Sequence, residues 1–202
     1  MSAQIHRVHS LRPTSILEVG KGNGFVSDYL RKAGHDIVTV DINPALEPDH
    51  VGDILKLDEL FGAAQFDLVF CAEVLEHIPF ECFERAIGQL ARVARRHGLI
   101  TLPRAQRILL DFQFSLKLPF LGRRESGMFA AVRHSGVTFR GHHWELGSGP
   151  EQSLDRIEAI IGRYFEIVSS TRERLQPYHQ EIVMRKRECE DEPNSGDGPE
   201  HR

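Results

Sequence analysis

A short segment near the N-terminus combines an acidic side chain with glycines at alternate positions, Glu18, Gly20, Gly22 and Gly24. Glycines allow positive φ angles and let a ligand approach main-chain N–H groups at the start of a helix. A carboxylate two residues before the first glycine attracts a positively charged ligand and repels a pyrophosphate. We therefore expect a binding site for a cationic group, such as the ammonium of an amino acid. The alternative is that Gly22 and Gly24 only form a tight turn.

Two further carboxylates follow at the ends of predicted strands. Asp41 ends the second strand, where its oxygens can accept hydrogen bonds from both hydroxyls of a ribose. Asp53 ends the third strand, and the apolar Ile54 follows it, a pair that suits the amino group and ring face of an adenine. We expect these residues to line one crevice with Glu18. Asp53 has an alternative role as the cap of the segment that follows it.

Three histidines are candidates for a general base. His77 follows the fourth predicted strand, and His142 and His143 lie just before Trp144 in a long irregular segment. Imidazole, with a pKa near 6.5, suits proton removal at neutral pH. We expect His143 to be the base and His77 to be the second catalytic candidate, although Glu76 and His77 can equally serve to orient their loop.

The cysteines exclude one class of site. The chain has three, Cys71, Cys82 and Cys189, and no two of them form a CxxC pair. Neither a disulfide framework nor a thiolate zinc site is therefore expected. We predict no metal site of any other kind, and the ordinary interpretation of Cys71 is an inert buried thiol.

Strands and helices alternate in the predicted order of elements. The run 15–19 reads as a buried strand before the glycines, a helix follows from Phe25 to a cap at Gly34, and 36–41 completes a βαβ unit. Further strands are predicted at 50–53, 66–71, 98–102, 165–169 and 180–184, with helices at about 79–96 and 152–162. This order predicts an α/β fold with a doubly wound, mostly parallel seven-stranded sheet and an antiparallel final strand.

Composition divides the chain into a single domain and a tail. We expect one domain over residues 1–187, with a ligand-binding half at 14–103, an insertion at 104–150 and a closing helix and strands at 151–187. The insertion is interpreted as a partly helical lid, and the first thirteen residues are expected to be too short to enclose a ligand. Residues 188–202 are acidic and poor in apolar side chains, which predicts disorder.

Four of these motifs, in this order, resemble those of the class I S-adenosylmethionine-dependent methyltransferase superfamily. The resembling segments are 18–24, Asp41, 52–54 and 66–78, and the resemblance covers roughly residues 15–102. It implies a Rossmann-like methyltransferase fold and S-adenosyl-L-methionine as the cofactor. It further implies that Glu18 and Gly20 lie beside the amino acid part of the cofactor, Asp41 binds its ribose, and Asp53 and Ile54 flank adenine. By the same analogy, Cys71 lies near the methionine end.

Charge and hydropathy narrow the acceptor and the location. A formal net charge of -4 argues against a general polyanion-binding surface, so nucleic acid is not favoured. The insertion is locally basic, with seven Lys and Arg against three Asp and Glu, which favours an anionic small molecule if these side chains are not merely solvated. No apolar run is long enough to span a membrane, and no secretory signal is evident, so a cytoplasmic location is expected.

These expectations combine into one function with two alternatives. The first hypothesis is in-line SN2 methyl transfer to a small or medium-sized acceptor. The second is a noncatalytic module that binds the cofactor or a partner. The third is a nicotinamide-dependent oxidoreductase. Glu18 argues against it, because its carboxylate would repel a pyrophosphate, and so does Phe25, which stands where the GxGxxG pattern requires a third glycine.

Overall fold

The computed structural model describes residues 2–118, 122–133, 136–172 and 177–187. Four α-helices and nine β-strands alternate along these residues, joined by short 3-10 turns. The helices are α1 (Ser2–Leu11), α2 (Phe25–Lys32), α3 (Phe83–Val93) and α4 (Leu154–Ile161). The strands are β1 (Ser15–Val19), β2 (Asp36–Asp41), β3 (His50–Val51), β4 (Phe66–Ala72), β5 (Ala94–Pro103), β6 (Gln106–Leu118), β7 (Gly122–Arg133), β8 (Phe165–Arg172) and β9 (His179–Lys186).

Seven of the strands form one sheet in the order β3-β2-β1-β4-β5-β9-β8. The first five are parallel, whereas β9 runs antiparallel to both β5 and β8. The predicted doubly wound sheet with an antiparallel end is therefore confirmed. The strand order reverses between β1 and β4, and ligands of such sheets bind beyond the carboxyl ends of the strands at that point.

Side chains that alternate along the strands build a core on each face of the sheet. Leu17 of β1 and Val69 of β4 face the cluster that contains α3 and α4. Ile16 and Leu68, their neighbours, face the cluster that contains α2 and Val8 of α1. Period-two burial on both faces is the pattern of a central strand covered by two helical layers.

The N-terminus differs from the prediction. Residues 2–11 form α1, whereas the sequence predicted only a short segment before β1. Val8 of this helix is fully buried in the second core cluster. Because this helix packs beside the carboxyl edge of the sheet, Gln4 reaches a cavity there. The N-terminus therefore contributes a helix and one side chain to the cavity wall, where the sequence predicted only a short segment.

The insertion also differs, because its first half is an antiparallel hairpin and not helical. β6 pairs with β7 from Gln106 opposite Arg133 to Leu118 opposite Gly122. Its sequence alternates apolar and polar residues from Leu110 to Leu118, which is the period of a strand. That alternation was the signal that the prediction of a partly helical segment overlooked.

The third helix is shorter than predicted. α3 ends at Val93, and β5 begins at once with Ala94, so Arg95 and Arg96, which the predicted helix included, lie on a strand. Arg95 there donates a hydrogen bond of 2.8 Å from Nε to the buried Asp67 of β4. This ion pair fixes Arg95 in the sheet.

The predicted tail, 188–202, lies outside the described residues. Among the residues that are described, no helix is long and apolar enough to cross a membrane.

Candidate active site

The glycine turn lies between β1 and α2 at the point where the strand order reverses. Gly20 has a φ of 84°, and a Cβ at this position would collide with the side chain of Val74. Its N–H donates a 2.8 Å hydrogen bond to the carbonyl of Val40. The turn therefore requires glycine at residue 20 for both backbone angle and space, whatever it binds.

Glu18 occupies the end of β1 with its carboxylate in a cavity. The side chain is 4% exposed, and its Oε2 has no hydrogen-bond partner within the described structure. Burial raises the pKa of this carboxyl to about 7. A buried carboxylate without a counter-ion is costly, so the position is prepared for a ligand that brings a positive charge.

Two adjoining cavities surround the turn. The first, of about 520 Å³, contains Glu18 together with residues of α1 and of the segment after the hairpin. The second, of about 420 Å³, contains Asp41, Asp53 and Ile54. Both are lined by Gly20, Gly22, Ala72 and Glu73. The two cavities form one cleft along the carboxyl edge of the sheet.

The two strand-end aspartates have different partners. Asp41 accepts hydrogen bonds from the N–H groups of Asn43 (2.9 Å) and Gly22 (3.3 Å), which hold it beside the glycine turn. Asp53 accepts a 2.9 Å bond from the N–H of Leu55 and so caps the turn that follows. The capping role is thus present, and a carboxylate has further acceptor sites for a ligand in the second cavity.

The structure does not bring every predicted residue to the cleft. Gly24 takes a φ of 73° at the N-terminus of α2 and lines neither cavity. Cys71 is buried and also lines neither, and burial raises the pKa of its thiol well above the ordinary value. Its neighbours Ala72 and Glu73 take the position expected for it.

The predicted histidines are also separated. His143 is exposed and lines neither cavity among the described residues, whereas His142 lines the first and His77 the second. The rings of His77 and His142 are 5.0 Å apart between centroids and nearly perpendicular, at 81°. The pair at the cleft is therefore His77 and His142.

Several residues of the cleft were missed by sequence reasoning. Glu73, in the left-handed region with a φ of 54°, accepts a 2.9 Å hydrogen bond from the Thr101 hydroxyl, and its other oxygen lies 3.1 Å from Nε2 of His179. Glu76 is completely buried below it. Burial, and then the negative charge of Glu73, raises the pKa of Glu76 to about 8. The motif 73–77 holds both acids, but only the fold shows that Glu73 lines the cleft and that Glu76 is buried near it.

Comparison with known proteins finds one family model that matches part of the chain. Residues 17–102 match the model of a family described as a methyltransferase domain. None of the curated proteins compared matches this chain in sequence.

Solved structures share the fold at low identity. The PH0226 protein from Pyrococcus horikoshii OT3 is 15% identical, with a TM-score of 0.58 over 92% of this chain and 91% of its own. A TehB-like SAM-dependent methyltransferase from Corynebacterium glutamicum is 17% identical, with a TM-score of 0.59 over 91% and 87%. The 1,6-didemethyltoxoflavin-N1-methyltransferase of Burkholderia thailandensis, crystallised with S-adenosylhomocysteine, is 18% identical, with a TM-score of 0.55 over 93% and 76%.

Proposed function

We propose that this chain methylates a small or medium-sized acceptor bound in the first cavity. Its residues 17–102 match a methyltransferase domain, and its fold is that of the class I S-adenosylmethionine-dependent methyltransferases. The family and the fold are those that the sequence motifs predicted. The observation that carries the proposal is the unpartnered Oε2 of Glu18, buried in the cleft beside the glycine turn. The Glu18 carboxylate can pair with the ammonium of an amino acid and would repel a pyrophosphate.

The residues of the cleft fit S-adenosylmethionine along its length. Glu18 and Gly20 would hold the amino acid part, Asp41 the ribose hydroxyls, and Asp53 with Ile54 the adenine. The sulfonium of this cofactor supplies an activated methyl group, so the protein needs mainly to align the acceptor and accept its proton.

The first cavity supports a small acceptor. Gln4, Phe139 and Tyr178 line this cavity together with Glu18, a mixture of amide, ring and hydroxyl groups that suits an aromatic or polar molecule. The basic composition of residues 104–150 favours an anionic acceptor. The net charge of -4 does not favour nucleic acid as the acceptor.

Proton removal is assigned to the end of the cleft where His77 and His142 lie. Sequence spacing favoured His143 for this role, but that side chain is directed to solvent. His142 lines the same cavity as Glu18, so an acceptor held there can reach both the cofactor and an imidazole.

Calorimetry with S-adenosylhomocysteine and NAD tests the assignment. We expect the first to bind and the second not to bind, and Glu18→Gln to weaken binding because the amide leaves the ammonium without a counter-ion. The control is Glu59→Gln, an exposed acid outside the cleft. Binding of NAD alone, or equal affinity in Glu18→Gln, would refute the proposed cofactor site. Binding without methyl transfer to any acceptor would instead indicate a noncatalytic module.

A further inference from the structure

A cluster of metal-ligating groups lies between the two cavities of the cleft, with His142 lining the first and His77 the second. One ligand atom from each of Glu76, His77 and His142 falls within 4.8 Å of the others. The first two residues come from the loop after β4 and the third from the segment after the hairpin. The ligand atoms thus come from two segments that are distant in sequence. The cluster is therefore a product of the fold and not of residues that are merely adjacent in the chain.

Glu76 is the buried member of the cluster. Its side chain is completely buried, and neither carboxylate oxygen has a hydrogen-bond partner in the described part of the chain. Buried acceptors in folded proteins are almost always satisfied, because an unsatisfied one costs free energy. A cation coordinated by this carboxyl is a partner that would satisfy both oxygens and offset the burial of the acid.

The two histidines are held in the orientation of metal ligands. His77 Nδ1 lies 3.1 Å from the carbonyl oxygen of Gly141 and can only donate to it, which leaves Nε2 with a free lone pair. His142 Nδ1 lies 3.0 Å from Oε1 of the buried Glu145. Metal-binding histidines commonly use one nitrogen in this way, toward a carbonyl or a carboxylate, to fix the ring and present the other.

The supporting carboxylate is itself fixed. Oε1 of Glu145 also accepts hydrogen bonds from the N–H groups of Thr138 (2.7 Å) and Phe139 (3.0 Å). The two loops are joined by the indole of Trp144, which donates a 3.1 Å bond to the carbonyl of Ile78. The donor set is therefore positioned before any ion arrives, as a binding site requires.

We propose that Glu76, His77 and His142 bind one divalent transition-metal ion that in turn binds the oxygen of a hydroxyl acceptor. Two imidazoles and one carboxylate suit zinc, cobalt, manganese or iron(II), whereas calcium and magnesium prefer oxygen ligands alone. Three protein ligands leave coordination positions open for the acceptor.

This inference rests on the proposed methyl transfer and specifies its acceptor. Coordination lowers the pKa of a bound hydroxyl, so its proton leaves to solvent before transfer. The acceptor oxygen then forms the bond to the methyl carbon as the sulfonium carbon–sulfur bond breaks, and a neutral thioether departs. Proton removal thus stays at the site of His77 and His142, where the ion that they hold promotes it.

Cobalt titration of the untagged, chelator-treated chain tests the site. We expect one equivalent of Co²⁺ to bind, with the visible absorption of a cobalt–imidazole complex. His77→Ala and Glu76→Gln should each weaken binding by about tenfold or more. His77 is exposed, so its replacement should leave the fold intact, which a thermal melt checks.

Two variants supply matched controls. His143→Ala removes the imidazole next to His142 and should leave cobalt affinity unchanged, because that side chain lies outside the cluster. His35→Ala disrupts a second pair of histidines, in which Nε2 of His35 lies 3.0 Å from Nδ1 of His9, and should also leave cobalt affinity unchanged. Loss of binding in either control with retention in His77→Ala would overturn the proposed site, as would failure of the wild-type chain to bind cobalt.

Failure of the metal site and failure of the methyltransferase proposal give different results. Binding of S-adenosylhomocysteine without cobalt overturns the metal site alone. Binding of cobalt without S-adenosylhomocysteine supports the metal site and overturns the proposed cofactor cleft.

Discussion

The backbone N–H of His143 donates a 2.8 Å hydrogen bond to the carbonyl of Glu76. This bond joins the segment after the hairpin to the loop after β4, and it places His142 opposite His77. His143 thus contributes through its main chain, while its imidazole faces solvent. A residue that sequence spacing marked as a base is, in the structure, a connection between two loops.

Affinity for S-adenosylhomocysteine should rise with pH. Burial raises the pKa of Glu18 to about 7, so the carboxyl of the unliganded protein is mostly protonated at pH 6 and mostly ionised at pH 8. The ligand's ammonium prefers the ionised form, and we expect the Kd to fall by about tenfold over that range. Calorimetry at several pH values measures it, and Glu18→Gln should abolish this dependence. A wild-type Kd that is constant with pH would contradict the role of Glu18.

Glu18→Gln should stabilise the unliganded protein at alkaline pH. A carboxyl whose pKa is raised by folding destabilises the folded state wherever the unfolded chain is ionised, and this cost is complete above pH 7. The variant should therefore gain up to about 3 kcal/mol in free energy of unfolding at pH 8 and little at pH 4. Urea denaturation at both pH values measures the difference. An equal gain at both would attribute the effect to packing.

Asp41→Ala should weaken binding of S-adenosylhomocysteine by about 1.5–3 kcal/mol, the range for hydrogen bonds to a charged group. The expected loss follows from the position of this carboxylate in the second cavity, beside Gly22. Asp36→Ala, at the exposed start of the same strand, is the matched control and should bind normally. Unchanged affinity in a folded Asp41→Ala protein would remove the ribose assignment.

Acid should destabilise the fold through Asp67. Burial alone would raise the pKa of this carboxyl, but hydrogen bonds from Thr14 and the ion pair with Arg95 outweigh it and hold the pKa well below its usual range. A depressed pKa stabilises the folded state above the unfolded value near 4, and that contribution is lost as pH falls.

Asp67→Asn tests this contribution. It should lower the free energy of unfolding at pH 7 by about 1.5–3 kcal/mol, and the difference from wild type should narrow on acidification. Asp36→Asn, at the exposed start of β2 and separated from β4 by β1, is the control. A deficit that stays constant down to low pH would show that charge is not its cause.

The prediction of the sheet succeeded because each strand carries its own signal. Runs such as 15–19 and 66–71 are mostly apolar and bounded by turn residues, since both faces of a central strand are buried. Glu18 and Asp41 stand at or next to the carboxyl ends of such runs, Glu18 just before the glycine turn and Asp41 just before Asn43-Pro44. Where two patterns compete, as in residues 110–118, or where a helix meets a strand without a break, as at Val93 and Ala94, the boundaries were wrong.

Local sequence determined the order of the elements, the glycine turn and the acids at the strand ends, because these depend on backbone preference and on hydrophobic period over a few residues. Tertiary structure alone decided which histidine reaches the cleft. His142 and His143 are adjacent and chemically identical, and only the docking of their loop on residues 76–78 turns one inward and the other to solvent. The burial of Glu76 and its meeting with His142 have the same origin, since contacts between distant segments leave no period in the chain.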